Sequence, residues 1–240
     1  METERGLSMN HTTTNRLMLG YCVLVTTLLA GLSVSQAVSG PGKVSYDELD
    51  VHRINVRERD GTLRMTISNT DSAPGIIVKG KEIPHPNRKS AGILFFNDEG
   101  TENGGLIFGG TKNDGKLTNY GHLSFDQYEQ DQVVVLAQNE EDGKRNATLS
   151  FWDRPDTAIP WDLAHRMNTP EGRAEAEKLR NAGGFGYPRL LIGKTEKRVS
   201  TVSLKDAKGR PRLVMKVEPD GAASIDFLDE NGKTVRTLTP

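Results

Sequence analysis

The sequence has one cysteine, almost no net charge and one long apolar run. Because Cys22 is the only thiol among 240 residues, an intramolecular disulfide framework and any multi-cysteine zinc or iron–sulfur site are excluded. The 31 Lys and Arg against 32 Asp and Glu give a net charge of −1, and this balance argues against a nucleic-acid partner held through its phosphates. The Gly-x-Ser-x-Gly, His-Glu-x-x-His and Gly-x-Gly-x-x-Gly signatures of common enzymes are also missing. Composition therefore favours a globular protein without a standard catalytic motif.

The apolar run, residues 17–34, leads to a prediction of the compartment. Its 18 residues carry no charge, follow Arg16 and precede small residues that end at Ala37. This order is typical of a secretory signal peptide, and 18 residues also reach the lower limit for a membrane-spanning helix. We predict export to the periplasm or cell envelope, either with cleavage after Ala37 or with residues 17–34 retained as a membrane anchor. The start is Met1 or Met9.

Changes in composition along the chain predict its domain organisation. Residues 1–37 are the signal peptide or anchor, and 38–43 form a linker with Gly and Pro. Residues 44–240 are then one β-rich extracytoplasmic domain. Within it we expect a helical insertion at about 160–182 and a C-terminal meander over 198–238.

The body repeats a turn containing glycine followed by a stretch in which apolar residues alternate with polar ones. Alternation places one strand face against a core, and Asp-Gly or Asn-Gly pairs fit type I′ hairpin turns. We predict an all-β, antiparallel fold of consecutive hairpins, arranged as a meander or in a sandwich-like form. The turn pairs are Asp60-Gly61, Asp114-Gly115, Asp142-Gly143, Lys208-Gly209, Asp220-Gly221 and Asn231-Gly232.

Two kinds of segment depart from this alternation. Continuous apolar runs at 75–78, 93–96 and 133–136 are typical of strands buried on both faces or against a partner chain. The helical insertion contains Thr169 and Pro170, the residue types that cap and begin a helix, and Gly183-Gly184 follows as its stop signal. This helix has few large apolar residues, so we expect it on the surface.

The densest polar stretch, residues 97–105, is a candidate metal site. Asp98, Glu99, Glu102 and Asn103 offer carboxylate and amide oxygens of the kind that bind Ca²⁺. The spacing does not match an EF-hand, and a solvated hairpin loop that binds nothing is the simpler interpretation. No other cofactor is indicated by the sequence.

Two tryptophans are candidate binding residues. Trp152 neighbours Phe151, so alternation directs these two side chains to opposite faces of one strand. An exposed Trp152 would stack on a sugar or a protein partner; alternatively, the helical insertion covers it through Trp161.

Four segments resemble a family of bacterial exported or membrane-anchored proteins to which no activity is assigned. They are Val44–Val56, Asp60–Arg64, Phe95–Gly105 and Leu123–Glu129. The resemblance implies an N-terminal signal or anchor and a β-rich body. It implies no catalytic residue.

The sequence supports three hypotheses about function. The favoured one is a non-catalytic cell-envelope module that binds a partner or forms a homo-oligomer, with membrane contact only through residues 17–34. The second is an exported enzyme that acts on a glycan or other envelope polymer through the 97–105 loop. The third is a calcium-dependent adhesion module. Because hairpin sheets leave unpaired edge strands, self-association is expected in the C-terminal meander.

Overall fold

The structure, a computed structural model, describes residues 16, 18–29, 43–85 and 88–240. The chain divides into two units, residues 1–50 and 51–240. In the first, α1 (residues 18–29) forms within the predicted apolar segment, whereas the cleavage point after Ala37 lies outside the described residues. Within the described part of the chain, none of the helices combines the length and apolar character that crossing a membrane requires.

The second unit is built around one antiparallel sheet of twelve strands, which confirms the predicted meander. Every strand pairs with its sequence neighbour in this sheet, while β3 and β4 form a separate two-stranded sheet. The strands are β1 (Arg53–Arg57), β2 (Leu63–Ser68), β3 (Ile76–Val78), β4 (Lys81–Ile83), β5 (Ala91–Phe96), β6 (Glu102–Asn113), β7 (Lys116–Asp126), β8 (Gln132–Glu141), β9 (Lys144–Asp153), β10 (Tyr187–Lys194), β11 (Ser200–Lys205), β12 (Pro211–Val217), β13 (Ala223–Leu228) and β14 (Thr234–Leu238).

The six predicted glycine turns are of two kinds, and the type I′ prediction is correct for only two of the six. Asp114-Gly115 and Asp142-Gly143 have positive φ at both residues, as type I′ requires. In the other four turns only the glycine has positive φ: Gly61, Gly209, Gly221 and Gly232. Each of these glycines donates its N–H to a carbonyl three residues earlier, the pattern of a type I turn followed by a left-handed glycine.

The helical insertion is confirmed. It consists of α2 (Asp162–Arg166) and α3 (Pro170–Asn181). The Thr169 hydroxyl accepts a hydrogen bond from the Gly172 N–H at 3.0 Å, and Pro170 takes the first helical position. Only Gly172 and Ala176 of α3 are buried, in agreement with the predicted surface position.

The buried core is small and lies beneath the β3–β4 hairpin. Ile77 of β3 clusters with Leu63, Leu94 and Phe96, and Ile107 packs against them. Burial on both faces, as predicted for the apolar runs, holds for the run at 75–78, where Ile76 and Ile77 are both buried. In the run at 93–96 only one face is buried, through Leu94 and Phe96. In the third run, none of residues 133–136 is buried.

Candidate functional site

The sheet has one face whose central row is entirely apolar. Directly paired residues of antiparallel strands point to the same side, so the register identifies which side chains share a face. One row crosses all twelve strands and takes one apolar residue from each. The row is Ile54, Ile67, Ile93, Leu106, Leu123, Leu136, Leu149, Ile192, Val202, Met215, Ile225 and Leu238.

A second row on the same face runs beside the first. Its members are Val56, Met65, Phe95, Gly104, Phe125, Val134, Phe151, Leu190, Leu204, Leu213, Phe227 and Arg236. Gly104 pairs with both Phe95 and Phe125, and the two rings stack across it with centroids 6.2 Å apart. Only Arg236 is charged, and we call the two rows together the apolar face.

Gly104 apart, no residue of the apolar face is buried by the described parts of the chain. Leu136 is 54% exposed, Phe125 49% and Met215 44%. A concavity of about 630 Å³ lies at its C-terminal end, between Ile192 and Leu238. Contiguous exposed apolar patches larger than a few hundred Å² are rare on monomers and mark interaction surfaces.

The opposite face of the sheet is mostly polar and carries the core and a cleft. Leu94 and Ile107, which lie on this second face, pack with the β3–β4 hairpin. The cleft has a volume of about 240 Å³ between that hairpin and the helical insertion. Its walls are Ile76, His85, Arg88, Glu102, Asp126, Gln130, Asp131, Gln132, Ile159, Pro160, Trp161, Leu163, Met167 and Phe185.

Two arginines hold the polar end of the cleft in place. Arg88 makes a two-pronged contact with the Glu102 carboxylate and also donates to the Gly75 carbonyl at 3.0 Å. Arg154 donates to the carbonyls of Gln132 and Phe185 at 2.7 and 2.5 Å. Bidentate contacts between guanidinium and carboxylate fix both groups, so this end of the cleft is preorganised.

Asp126 is the one carboxyl of the cleft with a buried oxygen that has no hydrogen-bond partner. This atom is Oδ1. Among the described residues of the cleft, His85 Nδ1 is the other buried polar atom without a hydrogen-bond partner. Burial raises the pKa of Asp126 to about 7, and the nearby carboxylates of Glu102 and Asp131 add to the effect. A buried titratable group with a strongly shifted pKa, located in a cleft, indicates a functional site.

The structure separates the four candidate metal ligands of the 97–105 stretch. The predicted long loop is shorter than expected, because β6 already begins at Glu102 and leaves a turn of residues 97–101. Asp98 pairs with Arg64, Glu99 accepts a hydrogen bond from the Tyr128 hydroxyl at 2.9 Å, and Glu102 belongs to the cleft. Asn103 lies on β6 beside Glu102.

Within the described ranges, no group of three or more His, Cys, Asp and Glu side chains is arranged to hold a metal ion. The Asn97 side chain instead accepts the backbone N–H groups of Glu99 and Thr101, both at 3.0 Å, and so closes the turn on itself. This is the geometry of a structural hairpin turn.

The two candidate tryptophans have different surroundings. Trp152 is half-buried: its indole N–H donates to Ser150 Oγ at 3.2 Å, and Arg154 lies over the ring at 4.8 Å from its centroid. Trp161 lines the cleft, where Trp152 takes no part. Of the predicted site residues, the cleft thus brings together only Glu102 and Trp161.

Sequence reasoning missed the other polar residues of the cleft. Arg88 and Asp126 are far apart in the sequence, and Asp126 ends a strand whose alternation is unremarkable. The sequence offered only a weak signal for the cleft: Asp126 and Asp131 flank a short turn that contains an aromatic residue, Tyr128.

No known family model matches this chain, and no curated protein matches it either.

Proposed function

We propose that this chain is a non-catalytic structural module that assembles with copies of itself through the apolar face. The single observation that carries the proposal is the row of twelve apolar residues, one per strand, that crosses the whole sheet in register. Burying such a row is favourable by roughly 25 cal/mol per Å² of apolar surface. A protein that exposes an apolar surface of this extent is stabilised when another apolar surface covers it.

The dimensions of the apolar face fit a stable interface. Twelve strands spaced about 4.8 Å apart give a width of roughly 50 Å. Two rows of side chains cover roughly 15 Å along the strands, so the flat area is about 750 Å² per copy, close to the ~800 Å² per partner of a standard interface.

A second copy of the chain is the occupant that this geometry favours. Sheets stack face to face at about 10 Å with nearly aligned strands, which requires a partner that is itself a wide sheet with an apolar face. A two-fold axis supplies that partner, because each copy presents the same patch to the other. The apolar face is also narrow, because charged residues lie toward the hairpin ends on the same side of the sheet. They are Lys194, Glu140 and Arg145, and Arg145 pairs with Glu140.

The mass of the full chain in solution tests the proposal. We expect light scattering at micromolar concentration to give a multiple of the single-chain mass. A single-chain mass at high micromolar concentration would contradict the assembly. Association of that single chain with lipid vesicles, if Leu136→Lys abolished it, would identify the apolar face, and not residues 17–34, as a membrane surface.

We also propose that this assembly is located in the cell envelope. The support is the uncharged run after Arg16, which has the composition of an export signal. Residues 1–45 fused to alkaline phosphatase, which is active only after export, should give activity in bacteria. An inactive fusion that stays in the cytosol would contradict export.

A further inference from the structure

The cleft between the β3–β4 hairpin and the helical insertion has two chemically different ends. Trp161, Leu163 and Phe185 supply apolar walls, whereas Glu102 and Asp126 lie at the polar end. Small-molecule sites typically combine mostly apolar walls with a few convergent polar groups. At about 240 Å³ the cleft suits a compact ligand.

Almost every polar group of the cleft is already engaged. Arg88 is occupied by Glu102, Arg154 by backbone carbonyls, and the Gln130 amide donates to the Thr157 carbonyl at 2.6 Å. Asp126 Oδ1 and His85 Nδ1 are the buried exceptions among the described cleft residues. A buried polar atom without a hydrogen bond costs stability, so a ligand that pairs with it gains an interaction that the protein alone lacks.

The charges of the cleft determine which ligand fits. Three carboxyl groups, those of Glu102, Asp126 and Asp131, face two guanidinium groups, those of Arg88 and Arg154. Arg88 neutralises Glu102, and Arg154 lies 3.6 Å from Asp131. Ionised Asp126 therefore has no cation of its own, and a cationic ligand supplies the missing charge.

We propose that this cleft binds a small organic cation, an ammonium or guanidinium group on a compact apolar body. The cationic group pairs with the Asp126 carboxylate at the polar end of the cleft, and the apolar body packs against Trp161 and its neighbours. An anion is disfavoured because its charge adds to that of the carboxylates. A neutral alcohol makes a hydrogen bond but leaves the charge of ionised Asp126 uncompensated.

The protonation of Asp126 gives the binding a pH signature. With a pKa of about 7, this carboxyl is protonated in acid and must lose its proton to pair with a cation. Cation binding therefore releases a proton near neutral pH and weakens as the pH falls. The other charged and titratable groups around it are Glu102, Asp131, Arg88, Arg154 and the cleft residue His85.

The probe is benzylammonium chloride, titrated calorimetrically into the full chain, with agmatine as the guanidinium probe. Benzyl alcohol and benzoate have nearly the same size and differ in charge. We expect binding of at least one cation at about pH 8 that is at least tenfold weaker at about pH 5, with proton release visible in buffers of different ionisation enthalpy. Benzoate should not bind, and benzyl alcohol should bind at least about tenfold more weakly.

The Asp126→Asn variant should lose the cation affinity by at least about tenfold, and the exposed control Asp98→Asn should keep it. Equal binding by benzyl alcohol and benzylammonium, or unchanged binding by Asp126→Asn, would overturn the proposal. The proposal would also be overturned if neither cation bound at millimolar concentration, or if the cleft bound glucose, a neutral polar ligand, and not the cations. Because the cleft and the apolar face lie on opposite sides of the sheet, failure of this proposal leaves the proposed assembly intact, and the reverse also holds.

Discussion

Replacing Leu136 with lysine should dissociate the assembly into single folded chains. Leu136 lies at the middle of the apolar row on β8, and 54% of it is exposed in the single chain. Full burial of a leucine contributes roughly 2 kcal/mol, so burying the exposed half of Leu136 contributes roughly 1 kcal/mol, and a two-fold dimer loses this contribution in both copies. The sum of about 2 kcal/mol weakens association roughly 30-fold, before the larger cost of burying two ammonium groups is added.

Asn139→Lys is the matched control for this variant. Asn139 is exposed on the same strand but points to the opposite face of the sheet. Light scattering should show the wild-type mass for Asn139→Lys and a single-chain mass for Leu136→Lys. Both variants should unfold within about 1 kcal/mol of one another as isolated chains, because the two sites are already solvated there. An unchanged mass for Leu136→Lys would exclude the centre of the apolar face from the interface.

Replacing Asp126 with asparagine should stabilise the protein above neutral pH. Below about pH 3 the carboxyl is protonated in both the folded and unfolded chains and makes no pH-dependent contribution. Between its ordinary value of 3.8 and about 7, the unfolded chain ionises while the folded chain keeps its proton, so stability falls as the pH rises. At about 1.4 kcal/mol per pKa unit, the loss reaches an upper limit of about 4 kcal/mol above pH 7.

Because asparagine does not titrate, the Asp126→Asn variant does not lose folding stability in this way as the pH rises. The melting temperature of Asp126→Asn should match the wild type at about pH 3 and exceed it by about 5 °C or more at about pH 8. Asp98→Asn, on an exposed turn, should show no such pH-dependent gain. A wild-type stability that rises between these two pH values relative to Asp126→Asn would contradict the raised pKa of Asp126.

The meander was predictable because its information is local. Alternating residues and glycine-containing turns define each hairpin separately, and the cap at Thr169 defines the start of α3 in the same way. The turn types were less predictable. Asp60-Gly61 and Asp142-Gly143 look alike in sequence, but only the second has positive φ at both residues. Loop length, which depends on where the flanking strands pair, makes the difference.

The apolar face and the cleft depend on information that is not local. Alternation shows that Leu136 and Val134 share a face, but only the register places Leu136 opposite Leu123 on one side and Leu149 on the other. The cleft needs Arg88, Asp126 and Trp161, which come from three separate parts of the chain. A single sequence contains no signal that brings them together.

The most direct test of assembly through the apolar face compares the oxidation of two methionines. Met215 belongs to the apolar face and is 44% exposed, whereas Met167, at the end of α2, lies outside it and is 40% exposed. Hydrogen peroxide converts accessible methionine to the sulfoxide, and peptide mass spectrometry gives the two rates. Assembly through the apolar face predicts similar rates in dilute solution and a several-fold slower oxidation of Met215 relative to Met167 at high protein concentration. Equal rates at every concentration, in a chain that is folded throughout, would contradict it.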